Sequence, residues 1–344
     1  MQSNQTCRSW DHEQDAAALL RAADAALFRA KALGRSRLNL FTPDLLELAG
    51  AKFATEQGLR RALETGEFEL VFQPELDVHT GRVDVVEALI RWRQPDGRLA
   101  LPGEFLAIAE ESNLIMPVSD WVLCTAIETA AGWHHGAWPE ARIAVNVSSR
   151  QLIDTAFVER VMMLLEKHRL PARCMEIELT ETVLQTGAAT IEALRHLRAH
   201  GVSIALDDFG AGYSSVASLQ LLPFTRIKLD RSLIESIDTD PRSASITRAI
   251  IRLCDSLDLE VTAEGIERPE QLESLLGYRA MRVQGYLFSR PVSRHALLPV
   301  IASMPDIVQS ALWSITNAEG IGGQESMDAG RELLTFQSWA ARAG

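Results

Sequence analysis

From residue 69 onward the chain repeats one unit, a short run rich in Val and Ile followed by a stretch with helical spacing. The runs are 69–73, 83–92, 142–147, 175–179, 202–207, 226–230, 259–264 and 281–284. Helical segments separate most of them, at about 103–112 with 117–132, 155–168, 188–200, 214–221, 243–257, 269–277 and 293–302. Short apolar runs that alternate with longer amphipathic stretches are the pattern of strands joined by crossover helices into a parallel sheet. Eight such units are enough to close on themselves, so the expected fold is α/β, a (β/α)8 TIM-like barrel rather than an open sheet. One link breaks the pattern. Only Asp77-Val78-His79-Thr80-Gly81 joins the first two runs, too short for a crossover helix. The first strand is therefore expected to run antiparallel to the others.

The remainder of the chain bounds the function. With 47% hydrophobic and 23% charged residues among 344, it can bury a sizeable core. A net charge of −12 argues against sequence-independent wrapping of a nucleic acid polymer. It leaves room for a small phosphorylated ligand met by metal ions or a few placed Arg and Lys residues. Cys7, Cys124, Cys174 and Cys254 form no C-x-x-C pair, so a reducing, cytoplasmic setting is the natural reading. The longest uncharged run, 209–225, is full of Gly, Ser and Gln and contains Pro223, which does not suit a membrane span. The N-terminus lacks the basic start and apolar stretch of a signal peptide. No membrane contact is expected of this stretch of chain, although a segment outside it could anchor a parent protein.

Three regions are expected: 1–50, 51–303 and 304–344. In the first, Leu19, Ala23, Leu27 and Ala30 mark an amphipathic helix over 15–33, with Gly34 at its cap and a second helix at about 44–65. In the last, the pattern gives way to a polar stretch around Gly320 and Gly323, followed by one short helix at about 328–341.

Polar residues inside barrel strands require a reason, because such strands normally read as continuous apolar runs. Here they gather at or near the C-terminal ends: Gln73, Glu87 with Arg91, Asn146, Glu178, Asp207 with Asp208, Lys228 with Asp230, Glu264 and Gln284. In this fold those ends converge on the face where active sites are built. Gln73 is the exception, since an antiparallel strand would carry it to the opposite end unless the following loop curls back. Glu87, Leu89 and Arg91 share one face of their strand while Ala88 and Ile90 point the other way, and Lys228 shares a face with Asp230.

Each residue alone has a plain explanation. Asp208 before Phe209-Gly210 suits a turn, Asn146 a helix cap, and Lys228 an ion pair. Together the carboxylates would repel one another, and one Lys with one Arg is too little to neutralise them. Carboxylates with one amide oxygen are hard donors suited to Mg²⁺ or Mn²⁺. Adjacent Asp207 and Asp208 can reach two different cations. Two cations about 3.5–4 Å apart suit phosphodiester hydrolysis, with Lys228 beside the nucleophile or the phosphate. The segment Gly210-Ala211-Gly212-Tyr213-Ser214-Ser215 is only superficially a dinucleotide fingerprint. Position 215 is Ser, and the two preceding aspartates would repel a pyrophosphate.

Taken in order, the motifs resemble a family. They are Phe72-Gln73-Pro74, Glu87-Ala88-Leu89-Ile90-Arg91-Trp92, Val145-Asn146-Val147-Ser148, Glu178-Leu179-Thr180-Glu181, Asp207-Asp208-Phe209-Gly210-Ala211-Gly212-Tyr213, Ile227-Lys228-Leu229-Asp230-Arg231-Ser232, Ala263-Glu264-Gly265-Ile266-Glu267 and Gln284-Gly285-Tyr286-Leu287-Phe288. Residues of about 52–303 resemble the EAL domain, the bacterial phosphodiesterase module for cyclic di-GMP. Phe72 stands where the family often has Tyr, and Ala211 where Thr is common.

The resemblance implies a two-metal hydrolase, with two Mg²⁺ or Mn²⁺ ions per site, that opens cyclic di-GMP to linear pGpG. It implies Glu87, Asn146, Glu178, Asp207 and Asp208 as metal ligands and Lys228 as the catalytic lysine. Glu264 is implied either as a ligand or in proton transfer. Glu181 would hold the loop that begins at Asp207. Gln73, Leu89, Arg91, Asp230 and Gln284 would contact substrate. A homodimer is implied as well, and a non-catalytic cyclic di-GMP receptor is the main rival reading. The stretch of about 15–41 is similar to the last helix and strand of a GGDEF domain without its catalytic loop, so no cyclase activity is expected.

Overall fold

The computed structural model describes residues 42–318, apart from 79, 186, 213–218, 220–221, 277 and 279–280. The expected helices at 15–33 and 328–341, the GGDEF-like stretch and most of 214–221 lie outside the described residues. The chain divides into two compact units, one containing residues up to Phe68 with 92–118, the other Glu69–Arg91 with everything from Ser119.

The strands are β1 (Phe68–Asp77), β2 (Val83–Arg93), β3 (Leu99–Ala100), β4 (Arg142–Asn146), β5 (Met175–Thr180), β6 (Ser203–Phe209), β7 (Arg226–Leu229), β8 (Glu260–Ala263), β9 (Met281–Val283) and β10 (Val292–Ser293). All eight expected runs are present. The neighbour order runs β1-β9-β8-β7-β6-β5-β4-β2, and β1 also pairs with β2, which closes the barrel. Strands β2 and β4 to β9 pair in parallel, while β1 runs antiparallel to β9. The turn between β1 and β2 is tight: Gly81 N donates to Asp77 O and Asp77 N to Arg82 O, both at 2.9 Å.

Two corrections follow from the lengths of the elements. The first strand does not end at Gln73 but continues to Asp77, with Phe72 opposite Val292 and Leu76 opposite Val283. Gln73 therefore lies beyond the end of β9, on the same face as the C-terminal ends of the parallel strands. An antiparallel strand places its first half, not its last, at that face. The second correction concerns the last helix. Instead of ending near 302 it spans Arg294–Ala318, through Pro299 and Pro305. Proline removes a helix donor, yet a stripe of Leu297, Met304, Val308, Leu312 and Ile315 is buried along this helix, and that burial favours its continuation. Among the described residues, it is also the one helix long and apolar enough to cross a membrane by length and composition.

In the first unit, α1 (Pro43–Thr65) ends at Gly66, whose φ of 73° gives a left-handed cap. A Cβ at Gly58 would lie 2.7 Å from the Trp92 ring, so glycine lets the indole approach the helix. Trp92 packs with Phe68 and Phe105, and its Nε1 donates to Glu67 Oε2 at 3.1 Å. The barrel core is made of inward and outward branched residues such as Val85, Ile143, Ile177, Ile204, Ile227 and Val261, all buried.

Candidate active site

Lys228, in the middle of β7, is fully buried. Its Nζ lies 2.7 Å from Glu264 Oε1, 3.0 Å from Glu178 Oε1, 3.3 Å from Glu87 Oε2 and 3.5 Å from Asp207 Oδ1. The structure thus gathers side chains from β2, β5, β6 and the end of β8 around one ammonium. Glu87 is fixed from both sides: Asn146 Nδ2 donates to its Oε1 at 2.8 Å and Gln284 Nε2 to its Oε2 at 2.9 Å. Asn146 is not a helix cap. The following short helix, Ser149–Ile153, begins after Ser148, whose backbone N donates to Gln151 Oε1.

Side chains of adjacent strand residues normally point to opposite faces. Asp207 and Asp208 escape that rule because β6 carries a bulge. Leu206 pairs with Ile227 but Phe209 with Leu229, so β6 has one residue more than β7 over this interval. Asp208 absorbs the bend at φ 56°, a left-handed conformation that Asp tolerates better than most residues. As a result, carboxylate oxygens of Asp207, Asp208 and Glu264 lie within 4.8 Å of one another. The loop after the bulge is held by Glu181, whose Oε1 accepts Gly210 N at 3.1 Å.

The electrostatics follow from crowding and burial. Burial pushes Glu178 well above the usual carboxylate range, and the charges of Glu87 and Asp207 add to it. Asp207 and Asp208 are raised for the same reason. Burial, with the charges of Asp207 and Glu87, pushes Glu264 up to about 8 despite the nearby ammonium. Glu87 moves the other way, since Lys228 and the Gln284 and Asn146 donors outweigh its burial. Burial alone would lower Lys228, but the four surrounding carboxylates hold it well above the normal lysine range.

The donor set fits hard divalent ions such as Mg²⁺ or Mn²⁺. It consists of carboxylates with one amide oxygen, and of the buried Glu178 one oxygen meets only the Lys228 ammonium while the other has no hydrogen-bond donor. At the mouth, exposure rises along one face of β2 from buried Glu87 to half-buried Leu89 and Arg91. Gln73 Nε2 donates to Ser289 O at 3.2 Å, and Gln284 is buried beside Glu87. Asp230 spends one oxygen as the cap of the short helix Arg231–Ile234, accepting Ser232 N at 3.0 Å. Glycine lets the loops after β8 and β9 approach: a Cβ at Gly285 would lie 2.0 Å from Ile266 O. Gln284 O accepts Ile266 N, and Ile266 O accepts Leu287 N.

Sequence reasoning missed the charged residues one level deeper in the barrel, Glu75, Glu176, Arg226 and Arg282, all buried. Their signal was available as polar residues two positions from Gln73, Glu178, Lys228 and Gln284.

The family model for the EAL domain matches residues 56–291. Among curated proteins, the chain is 40% identical over 280 residues to the cyclic di-GMP phosphodiesterase NbdA of Pseudomonas aeruginosa, covering 81% of this chain and 36% of that protein. The chain thus spans about a third of that relative's length. Among solved structures, the PaMucR phosphodiesterase in complex with c-di-GMP aligns with TM-score 0.67 and 36% identity over 71% of this chain and 99% of that one. The EAL enzyme Bd1971 with cAMP and cyclic di-GMP bound aligns with TM-score 0.71 and 30% identity, over 84% and 77% of the two chains.

Proposed function

This chain belongs to the EAL domain family, and on that premise we propose that it is a metal-dependent phosphodiesterase that hydrolyses cyclic di-GMP to linear pGpG. The observation that carries the reading is the intact ring of Glu87, Asn146, Glu178, Asp207, Asp208 and Glu264 around buried Lys228. A receptor that only binds the dinucleotide has no use for so many unneutralised carboxylates, whose mutual repulsion is a cost without bound cations. The similar proteins named above as phosphodiesterases support the same choice.

Those six residues would hold two Mg²⁺ or Mn²⁺ ions, which when bound supply Lewis-acid activation of water and phosphate. The chain's own groups supply the rest. Lys228 sets a permanent positive charge at the centre of the ring, where it orients the attacking water and offsets charge that develops on the phosphate. Glu264 can hold a proton near neutrality, which suits proton transfer, whereas ligation would require it to give that proton up. Arg91, with Leu89 beside it on the mouth side of β2, would meet the dinucleotide, together with Gln73, Asp230 and Gln284. Glu181 keeps the Asp207–Gly210 turn in place.

Incubation of the chain with cyclic di-GMP and Mg²⁺ or Mn²⁺ should yield pGpG on chromatography. Excess EDTA should abolish the product, and Ca²⁺ should substitute poorly because its larger, looser coordination misplaces phosphate and water. Tight binding without product would favour the receptor, and turnover in EDTA would reject the metal assignment.

A further inference from the structure

Beneath the ring of site residues lies a second tier. Residues two positions apart share a strand face, so Glu176 sits under Glu178, Arg226 under Lys228, Thr262 under Glu264 and Arg282 under Gln284. On antiparallel β1 the same tier is filled by Glu75, two residues after Gln73. The remaining strands contribute Val85, Ala144 and Ala205. Barrel interiors are normally filled by branched apolar side chains. Here one half of the tier is ionic, and all of these side chains are buried.

Arg226 is its hub. It is 1% exposed, and its Nη1 donates to Glu75 Oε2 at 2.8 Å while Nη2 donates to Glu260 Oε2 at 2.9 Å. Nη2 also lies 3.4 Å from Glu176 Oε2, and Thr262 Oγ1 donates to Glu75 Oε2 at 3.0 Å. Carboxylate oxygens of Glu75, Glu176 and Glu178 lie within 4.8 Å of one another, all fully buried. That trio spans both tiers. Among the described residues its ion pairs are with two cations, Lys228 from above and Arg226 from below. Arg282 is engaged elsewhere, with Asp84 and Glu260.

We infer that Arg226 is a positioning residue for the active site: by neutralising Glu75 and Glu176 from below, it leaves Lys228 and both oxygens of Glu178 to the ring above. Arg282 and Arg142 also act on Glu176, and Arg282 on Glu75, but both guanidiniums are paired with Asp84, so without Arg226 the trio keeps a single ion-pair partner, Lys228. It would be drawn down the barrel and away from Glu87, Asp207 and Glu264. Glu178 would lose the open oxygen that makes it a ligand. This inference rests on the reading of the upper ring as a divalent-cation site.

The test is Mn²⁺ binding by the full chain, followed by calorimetry with no nucleotide present, alongside steady-state kinetics. Wild type should bind Mn²⁺. Arg226→Met should bind it at least tenfold more weakly and lose kcat with little change in KM, and Arg226→Lys should recover part of both. Adding Glu75→Gln and Glu176→Gln to Arg226→Met should restore Mn²⁺ affinity to within a few-fold of wild type, because no carboxylate of the deeper tier is then left to draw Lys228 down. That triple variant also serves if Arg226→Met alone fails to fold. A folded Arg226→Met with unchanged Mn²⁺ affinity and only a lower melting temperature would make Arg226 a simple brace and overturn the inference. A folded triple variant that still binds Mn²⁺ poorly would overturn it too. Absence of Mn²⁺ binding by wild type would instead remove the site reading on which it stands.

Discussion

Asp208 holds a backbone conformation that few side chains accept, and it does so because β6 carries one residue too many. The consequence is a pair of neighbouring carboxylates on one side of a strand, where a regular pleat would have divided them. Burial already disfavours the ionised form of Asp207, and the charge of Glu87 adds to it. Asp207→Ala should therefore leave the melting temperature of the metal-free protein unchanged or raise it, while turnover falls by orders of magnitude; thermal scans and pGpG assays check both halves. Lys228→Ala should act differently. Removing the ammonium leaves the ligands in place, so cyclic di-GMP affinity should change little while the single-turnover rate falls by ~10² or more, the scale of one lost electrostatic stabiliser. Near-normal turnover, or loss of binding equal to loss of rate, would remove Lys228 from catalysis.

Among the elements, the loops after β8 and β9 carry Glu264 and Gln284 and are stitched through backbone bonds at Ile266. Gly285→Ala would force a Cβ into the Ile266 backbone, with no flexible side chain to yield. We expect destabilisation of about 3 kcal/mol or more by urea unfolding, with activity lost in parallel. The elements were also where the sequence was most and least readable. Val and Ile runs flanked by helical stretches marked the eight barrel strands, and polar residues at their ends marked the ring around Lys228. The face occupied by Gln73 was not readable, because it depends on how far β1 extends past an apolar run that Pro74 and Glu75 interrupt. The bulge was hidden too: an inserted residue shows only against the register of a partner strand. The long last helix was missed because its two prolines argue locally for a stop, and only the burial of its apolar stripe argues against one.

For the whole molecule, acid sensitivity should trace in part to the bottom of the barrel. Burial would raise Asp84, but Arg282, donating from Nε and Nη2 at 3.0 and 2.8 Å, and Arg142 hold its carboxyl at about 2. A depressed folded pKa stabilises above the unfolded value of ~3.9 and is lost as pH falls toward 2. Asp84→Asn should accordingly lower stability at pH 7, and its deficit relative to wild type should shrink between about pH 4 and pH 2. Urea unfolding across that range checks it, and a deficit independent of pH would assign the effect to packing. The chain should also self-associate through its barrel helices; sedimentation equilibrium showing a monomer at micromolar concentration would reject this.

The ionic tier under the active site also limits how such a chain can drift. Glu75, Glu176 and Arg226 are buried together, so exchanging Arg226 alone for an apolar residue strands two carboxylates where water cannot reach them. Exchanging all three for a packed apolar set strands none. Neutral change in this tier must then proceed in compensating sets, and intermediates with one partner missing are the valley between two viable interiors. What a lineage should keep at these positions is the absence of an unpartnered charge, and not the individual residues that achieve it.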